Sequence, residues 1–372
     1  MIRLCLVVWL IAIPLLILPC TVSGQVGILG TPDGAGVDGQ PATSVELLRL
    51  NSVAVDQKGD VYITAERHHQ VFRIDGRGIL TVYAGNQSEG FSGDGGPAKK
   101  ASLWDPHGLA FDSKGNLYIS DQRNHRVRRV DTDGMISTFA ITGKSRYENY
   151  VRDRIFDRPA GLAVDKQDNL YVADPVNHRV LKVTPDGKIN TFSGTRKRGF
   201  SGDGGPASLA QLAGPNDVAV DEQGNVYVAD FGNNRIRKID PSGTITTVVG
   251  EGIAGDSGDG GPAIKARLRN PTGVTVDAAG NLYIADSNNH KIRKVTTNGK
   301  IETIAGTGTR KLSGDGGPAI NASLNRPYDL AIGNDGELYI VDQDNLRIRM
   351  VEASGVISTI AGMDRYETPL KF

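Results

Sequence analysis

Cysteine is almost missing. The 372-residue chain holds two, Cys5 and Cys20. Beyond residue 20 there is therefore no disulfide framework, no thiol nucleophile and no Cys-based metal site. A surplus of either charge is missing as well, since Lys plus Arg is 42 and Asp plus Glu is 42. A nucleic-acid or anionic-membrane footprint wants a basic excess, so neither is expected as a partner. No nucleophile-elbow, metalloprotease or nucleotide motif occurs. Glycine, by contrast, is plentiful at 47 residues without any collagen-like triplet, so it must serve turns.

The one long apolar stretch stands at the start. Arg3 precedes an uncharged run from Leu4 to Leu18, and Val22-Ser23-Gly24 offers small residues before a cut at Gln25. Residues 1–24 read as a signal peptide and residues 25–372 as the exported domain, secreted, periplasmic or at the cell envelope. An uncleaved anchor is the rival reading, but the run falls short of the ~20 residues a span needs. A lipoprotein site at Cys20 would need a small residue where Pro19 stands.

The rest is one unit written six times. Aligned on the Leu-Tyr-Ile-Ala-Asp form, the anchors are Ala65, Asp121, Asp174, Asp230, Asp286 and Asp342, at gaps of 56, 53, 56, 56 and 56. The fifth copy shows four short β-branched stretches, 273–277, 281–285, 290–295 and 301–306, each too short for a helix. Asp277-Ala278-Ala279-Gly280-Asn281 and Asn298-Gly299 are tight-turn sequences between them. Strands in hairpins at a period near 50 imply a β-propeller: all-β, six blades, each a four-stranded antiparallel meander. Val26-Gly27-Ile28-Leu29-Gly30 resembles a further outer strand. It would either complete the last blade or add a fifth edge strand, joining the two ends in both cases.

The units resemble NHL repeats. The signature follows the anchor Asp as Asn124-His125-Arg126-Val127-Arg128, Asn177-His178-Arg179-Val180 and Asn289-His290-Lys291-Ile292-Arg293, with drifted copies at 233–237 and 345–349. The Ser-Gly-Asp-Gly-Gly-Pro-Ala insert at 92–98, 201–207, 257–263 and 313–319 (degenerate at 36–42) is similar to that of secreted bacterial NHL proteins and of the propeller in some large animal adhesion receptors. The resemblance implies the fold over about 26–362. It leaves function open among binding scaffolds, sensor domains and a few metal-bearing lyases or lactonases.

Strand order places the second-to-third loops and the blade crossovers on one face, the top, where binding residues gather. The inserts read as turn plus helix cap, because a calcium loop would want several carboxylates. The third crossover lacks the insert. Its run 144–154 is basic and aromatic, and Arg146, Tyr147, Tyr150 and Arg152 are expected to contact a protein, peptide or glycan partner. His69, His125, His178 and His290 share one repeat position and read as structural. Arg128, Arg237, Arg293 and Arg349 also recur, and read as solvated or paired with Asp.

Function is expected where the copies disagree. One ring position carries Asn51, His107, Ala160, Asn216, Thr272 and Tyr328, and the next carries Ser52, Gly108, Gly161, Asp217, Gly273 and Asp329. Asn51, His107, Asn216, Asp217, Thr272, Tyr328 and Asp329 are the expected ligand-binding residues of the central mouth. Asn216, Asp217 and Asp329 form the set that would hold a divalent cation such as calcium, magnesium or zinc. The first reading is a non-enzymatic binding or scaffold module. The alternative is a metal-dependent lactonase- or lyase-like enzyme, with the lyase version disfavoured because His107 is the single histidine at the mouth.

Overall fold

A computed structural model describes residues 36–141 and 156–363. The signal segment, the Val26–Gly30 strand and the partner residues Arg146, Tyr147, Tyr150 and Arg152 lie outside the described residues.

In the first blade the strands are Leu50–Val55, Val61–Ala65, Gln70–Ile74 and Ile79–Ala84, antiparallel in that order from the axis outward. The second strand is buried along its whole length, whereas the outer strand alternates between buried and half-exposed residues. A strand between two neighbouring blades has no solvent face, and an edge strand has one. The turns form as their sequence demands. Asp56 accepts from the amides of Lys58 and Asp60, and Gly59 takes a φ of +86°. The other oxygen of the same carboxylate accepts from Tyr62 Oη at 3.2 Å, a pairing repeated at Asp112–Tyr118, Asp165–Tyr171, Asp221–Tyr227 and Asp277–Tyr283.

The expected four-stranded blade needs correction. Four of the six sheets have five strands. The additions are Gln40–Pro41, Gly96–Pro97, Gly205–Pro206 and Gly317–Pro318, each paired outside the outer strand of the blade that follows in sequence. These dipeptides belong to the inserts read from sequence as turns and caps. Proline lacks an amide donor and so suits a sheet edge, which it also closes to further pairing. Gly93 explains the preceding bend: its φ is +86°, and a Cβ there would lie 2.6 Å from that of Ala101. The inserts thus lie along the outer rim, and the mouth is left to the second-to-third loops and the residues entering each inner strand.

The core lies between blades. Ala54 and Tyr62 of the first blade pack with Leu109, Leu117 and Ile119 of the second, and Val53 and Ile63 pack with Val341 and Ile348 of the sixth. Closure uses the same device as four of the other joints. Gly362 N donates to Ala42 O at 3.0 Å, as Gly85 N donates to Ala98 O at 3.0 Å.

The recurrent arginines take the second of the two expected states, paired with Asp. Arg128, Arg237, Arg293 and Arg349 are fully buried and not solvated. Each spans the insert Asp and the anchor Asp: Arg237 reaches Asp203 Oδ1 at 2.6 Å and Asp230 Oδ2 at 3.5 Å, and donates to Ser201 O. Blades without the intact insert carry Phe72 and Leu181 at this position, both buried.

Candidate functional site

The inner strands start at the top of the molecule, so their first residues ring the axis. His107, Asn216 and Tyr328 come from blades two, four and six and meet over the opening. Asn216 Nδ2 donates to Thr272 O at 2.8 Å, which fixes the amide and turns Oδ1 toward Tyr328. Tyr328 Oη donates to that Oδ1 at 3.1 Å. The phenol oxygen is then left to accept, so His107, 3.1 Å away through Nε2, carries its proton there. Its Nδ1 is buried and has no partner among the described residues. Burial and the Arg49 charge push the imidazole down to about 4, so it is neutral at physiological pH. Burial pushes the Tyr328 phenol up to about 12, which makes it a donor and not a base.

Beneath this floor lie Asp217 and Asp329. Asp217 Oδ2 accepts from Val274 N of the fifth blade at 2.9 Å, and Asp329 Oδ2 accepts from Val53 N of the first at 3.2 Å. Each acid therefore ties its blade to the next while facing the axis. Gly161 makes room for the first of them, since a Cβ there would lie 2.0 Å from Asp217 Oδ1. Desolvation raises both acids, Asp329 to about 6, and the charge of Asp329 raises Asp217 further. The void they line with the floor residues is about 10 Å³, close to the room one water needs. Among the described residues no three His, Cys, Asp or Glu side chains gather as metal ligands. A cation here would have two carboxylates and neutral oxygens, a set that suits calcium or magnesium and not zinc.

The remaining expected residues are placed as follows. Asn51 donates to Glu66 Oε2 at 2.9 Å and accepts from Gln343 at 2.9 Å. Thr272 bonds through its hydroxyl to Ser287 and to Tyr328 O, so that hydroxyl is turned into the blade joint.

Above the floor opens a bowl of about 600 Å³ whose wall is charged. Arg49, Arg67, Arg123, Arg158 and Arg326 stand against Glu66, Asp105 and Asp344. The sequence reading missed this wall. Arg49, Asp105, Arg158, Asn270 and Arg326 share one position, two residues before the ring, at φ between 51° and 64°, where the fourth copy has Gly214 at 63°. Non-glycine residues at such φ are uncommon and strained, and they cluster at working sites. The signal was Gly214 itself, at a repeat position otherwise filled by long or polar side chains. Neighbouring loops hold the strained residues in place: His178 Nδ1 accepts from Gly214 N at 3.1 Å and His290 Nδ1 from Arg326 N at 3.0 Å.

Comparison with known proteins follows from this geometry. The sequence matches the Teneurin NHL domain over residues 84–152, 196–255, 253–313 and 305–371, and the NHL repeat over 156–183. It is 29% identical over 291 residues to Teneurin-m of Drosophila melanogaster, covering 72% of this chain and 10% of that protein. It is 27% identical over 366 residues to human NHL repeat-containing protein 2, covering 86% and 49%. The chain thus spans less than half the length of these relatives. Among solved structures, an auxiliary nutrient binding protein from Bacteroides thetaiotaomicron superposes with a TM-score of 0.60 at 16% identity, covering 84% of this chain and 70% of that one. A gluconolactonase from Xanthomonas campestris gives 0.54 at 15%, covering 84% and 87%. A virginiamycin B lyase from Staphylococcus aureus gives 0.52 at 16%, covering 84% and 83%.

The lean toward a non-enzymatic module is corrected here, because its ground is gone. It rested on missing motifs, yet the same ring of blades carries a lyase and a lactonase. No helix among the described residues is long and apolar enough to cross a membrane. With more than half of its length matched, the chain belongs to the Teneurin NHL domain family, and is an NHL-repeat six-bladed propeller.

Proposed function

We propose that the protein acts on a small organic ligand at the floor of its central bowl, by ester or lactone chemistry of the kind the gluconolactonase relative's name denotes. One observation carries this reading. Polar side chains from three blades, His107, Asn216 and Tyr328, share a hydrogen-bond chain directly over the Asp217–Asp329 carboxyl pair, both members of which burial raises above the ordinary carboxyl range. Tyr328 would turn its O–H from Asn216 to a substrate carbonyl oxygen, and neutral His107 would support it by donating to the phenol oxygen. The Asp217–Asp329 pair would hold one proton between two acids, the state suited to acid–base work near neutrality. Asn216, Asp217 and Asp329 are the residues that would hold a calcium or magnesium ion, which when bound would supply Lewis-acid polarisation.

The test is a panel of lactones and aryl esters, assayed with and without calcium and magnesium, on the wild type and Tyr328→Phe. The reading expects turnover that falls at least about tenfold in the variant while the melting temperature is kept. Absence of turnover across the panel, or equal rates in the two proteins, would overturn it. Metal analysis with melting curves checks the cation: no bound metal and no shift with either ion removes that part. Export through residues 1–24 belongs to the same proposal. A macromolecular partner at the top face is a second reading, supported by kinship to the teneurins. Pull-down with and without residues 144–154 tests it.

A further inference from the structure

The bowl is not symmetric, and we infer that its ligand is an amphipathic organic acid, a carboxylate joined to a compact apolar group. This deepens the reading of the bowl as the working face but does not require catalysis.

The charged side comes from blades one, two and six. There Arg49 pairs with Glu66 at 3.1 Å, Arg123 with Asp105, and Arg326 with Asp344 at 3.5 Å. These pairs account for all three acids of the wall. Arg67 of the first blade and Arg158, at the entry to the third, remain exposed, and neither makes an ion pair among the described residues. A bowl with two uncompensated guanidinium groups attracts an anion, and guanidinium forks favour carboxylate oxygens.

The opposite side comes from blades three and four. At the loop positions where other blades place Glu66-Arg67, Gln122-Arg123 or Gln343-Asp344, these two place Pro175-Val176 and Phe231-Gly232. Together with Ala213 and Gly214 they line a recess of about 400 Å³ that shares Arg326, Asn216 and Tyr328 with the bowl. Val176 is 50% exposed and Phe231 36%, in loops otherwise polar. Gly232 is required for the recess, since a Cβ there would lie 2.7 Å from Ala213 O. Gly214 opens the way in, standing where the other copies carry arginine, Asp105 or Asn270. Val176 and Phe231, the two apolar side chains set on this side at loop positions polar in the other blades, and the surplus cations line the same opening, so one ligand would engage both.

The test uses ligand-observed NMR and calorimetry with three probes: 3-phenylpropionate, its neutral amide and acetate. The proteins are the full chain, Arg158→Gln, Val176→Asn (the residue the fifth blade has there as Asn288) and Tyr328→Phe. Phenylpropionate is expected to bind, and the amide and acetate at least about tenfold more weakly. Arg158→Gln and Val176→Asn should each lose about tenfold for phenylpropionate while melting with the wild type, because both sites are exposed. Equal binding of acid and amide, indifference to Val176→Asn, or no binding of phenylpropionate at millimolar concentration would overturn the inference. Tyr328→Phe separates the two proposals. Retained binding with lost turnover supports both, and retained binding with unchanged turnover overturns only the catalytic one.

Discussion

Asp329 shows how one side chain serves architecture and chemistry together. Its carboxyl holds the joint to the first blade through Val53 N and is lifted to about 6 by burial. The unfolded chain releases that proton near pH 4. The folded state therefore binds it more tightly, and the associated stability is complete below about pH 4 and lost as pH rises through about 6. Asp329→Asn removes the titration. The variant should lose some stability at every pH, because its amide group faces Leu330 N. Its deficit should shrink by about 2 kcal/mol between pH 4 and pH 7.5, read from denaturant midpoints. An equal deficit at both pH values would show that Asp329 titrates in the fold as it does in the unfolded chain.

At the scale of the element, the loop histidines were legible as structural because they recur, and their job is now visible. His178 sits at φ 52° and accepts from Gly214 N across a blade joint, a task that Asn234 performs for Asn270 at 2.9 Å. His178→Ala should cost about 1–2 kcal/mol by leaving the amide without its acceptor. His178→Asn should recover most of it, since Asn tolerates the left-handed conformation and supplies the oxygen. If the two variants melted alike, strain relief and not the bond would be the controlling term. The buried arginines make a sharper case. Arg237→Met should cost about 3–5 kcal/mol in chemical unfolding, because Asp230 stays behind at zero exposure. The strands themselves were readable from β-branched runs and Asp-Gly turns. The fifth strands were not: a two-residue edge containing proline has no periodicity, and only the neighbouring outer strand gives it a partner. The link between insert and arginine was present in the sequence, since Arg128, Arg237, Arg293 and Arg349 follow intact inserts while Phe72 and Leu181 do not. The mouth ring was legible as the place where copies disagree. The charged wall was legible only through Gly214 at the shared position, because nothing in the letters Arg49, Arg158 or Arg326 announces a positive φ.

For the whole molecule, closure decides whether six similar wedges behave as six units or as one. Each blade buries its second strand only between neighbours, and the joint between the sixth and first blades repeats the backbone bond and the apolar packing found elsewhere. The acids at the axis add ties that pass from blade to blade, from Asp217 to Val274 and from Asp329 to Val53. In an open stack of repeats, losing a terminal element costs roughly one interface, and the remaining repeats keep their own stability. In a closed ring the same loss exposes both flanks of the gap. Ending the chain before Val356–Ala361 removes the outer strand of the sixth blade, with buried Ile357 and Ala361 and the Gly362-to-Ala42 bond. It also uncovers Val37 and Leu47 at the entry to the first blade. We expect this truncation to abolish the native state of all six blades together. Near-ultraviolet dichroism and amide dispersion should be lost throughout, and the wild type should unfold in a single transition by both probes. Persistence of dispersed amide signals from blades two to four in the truncated chain would show that the wedges are separable, and that the axial acids and the seam add strength without making the ring one cooperative body.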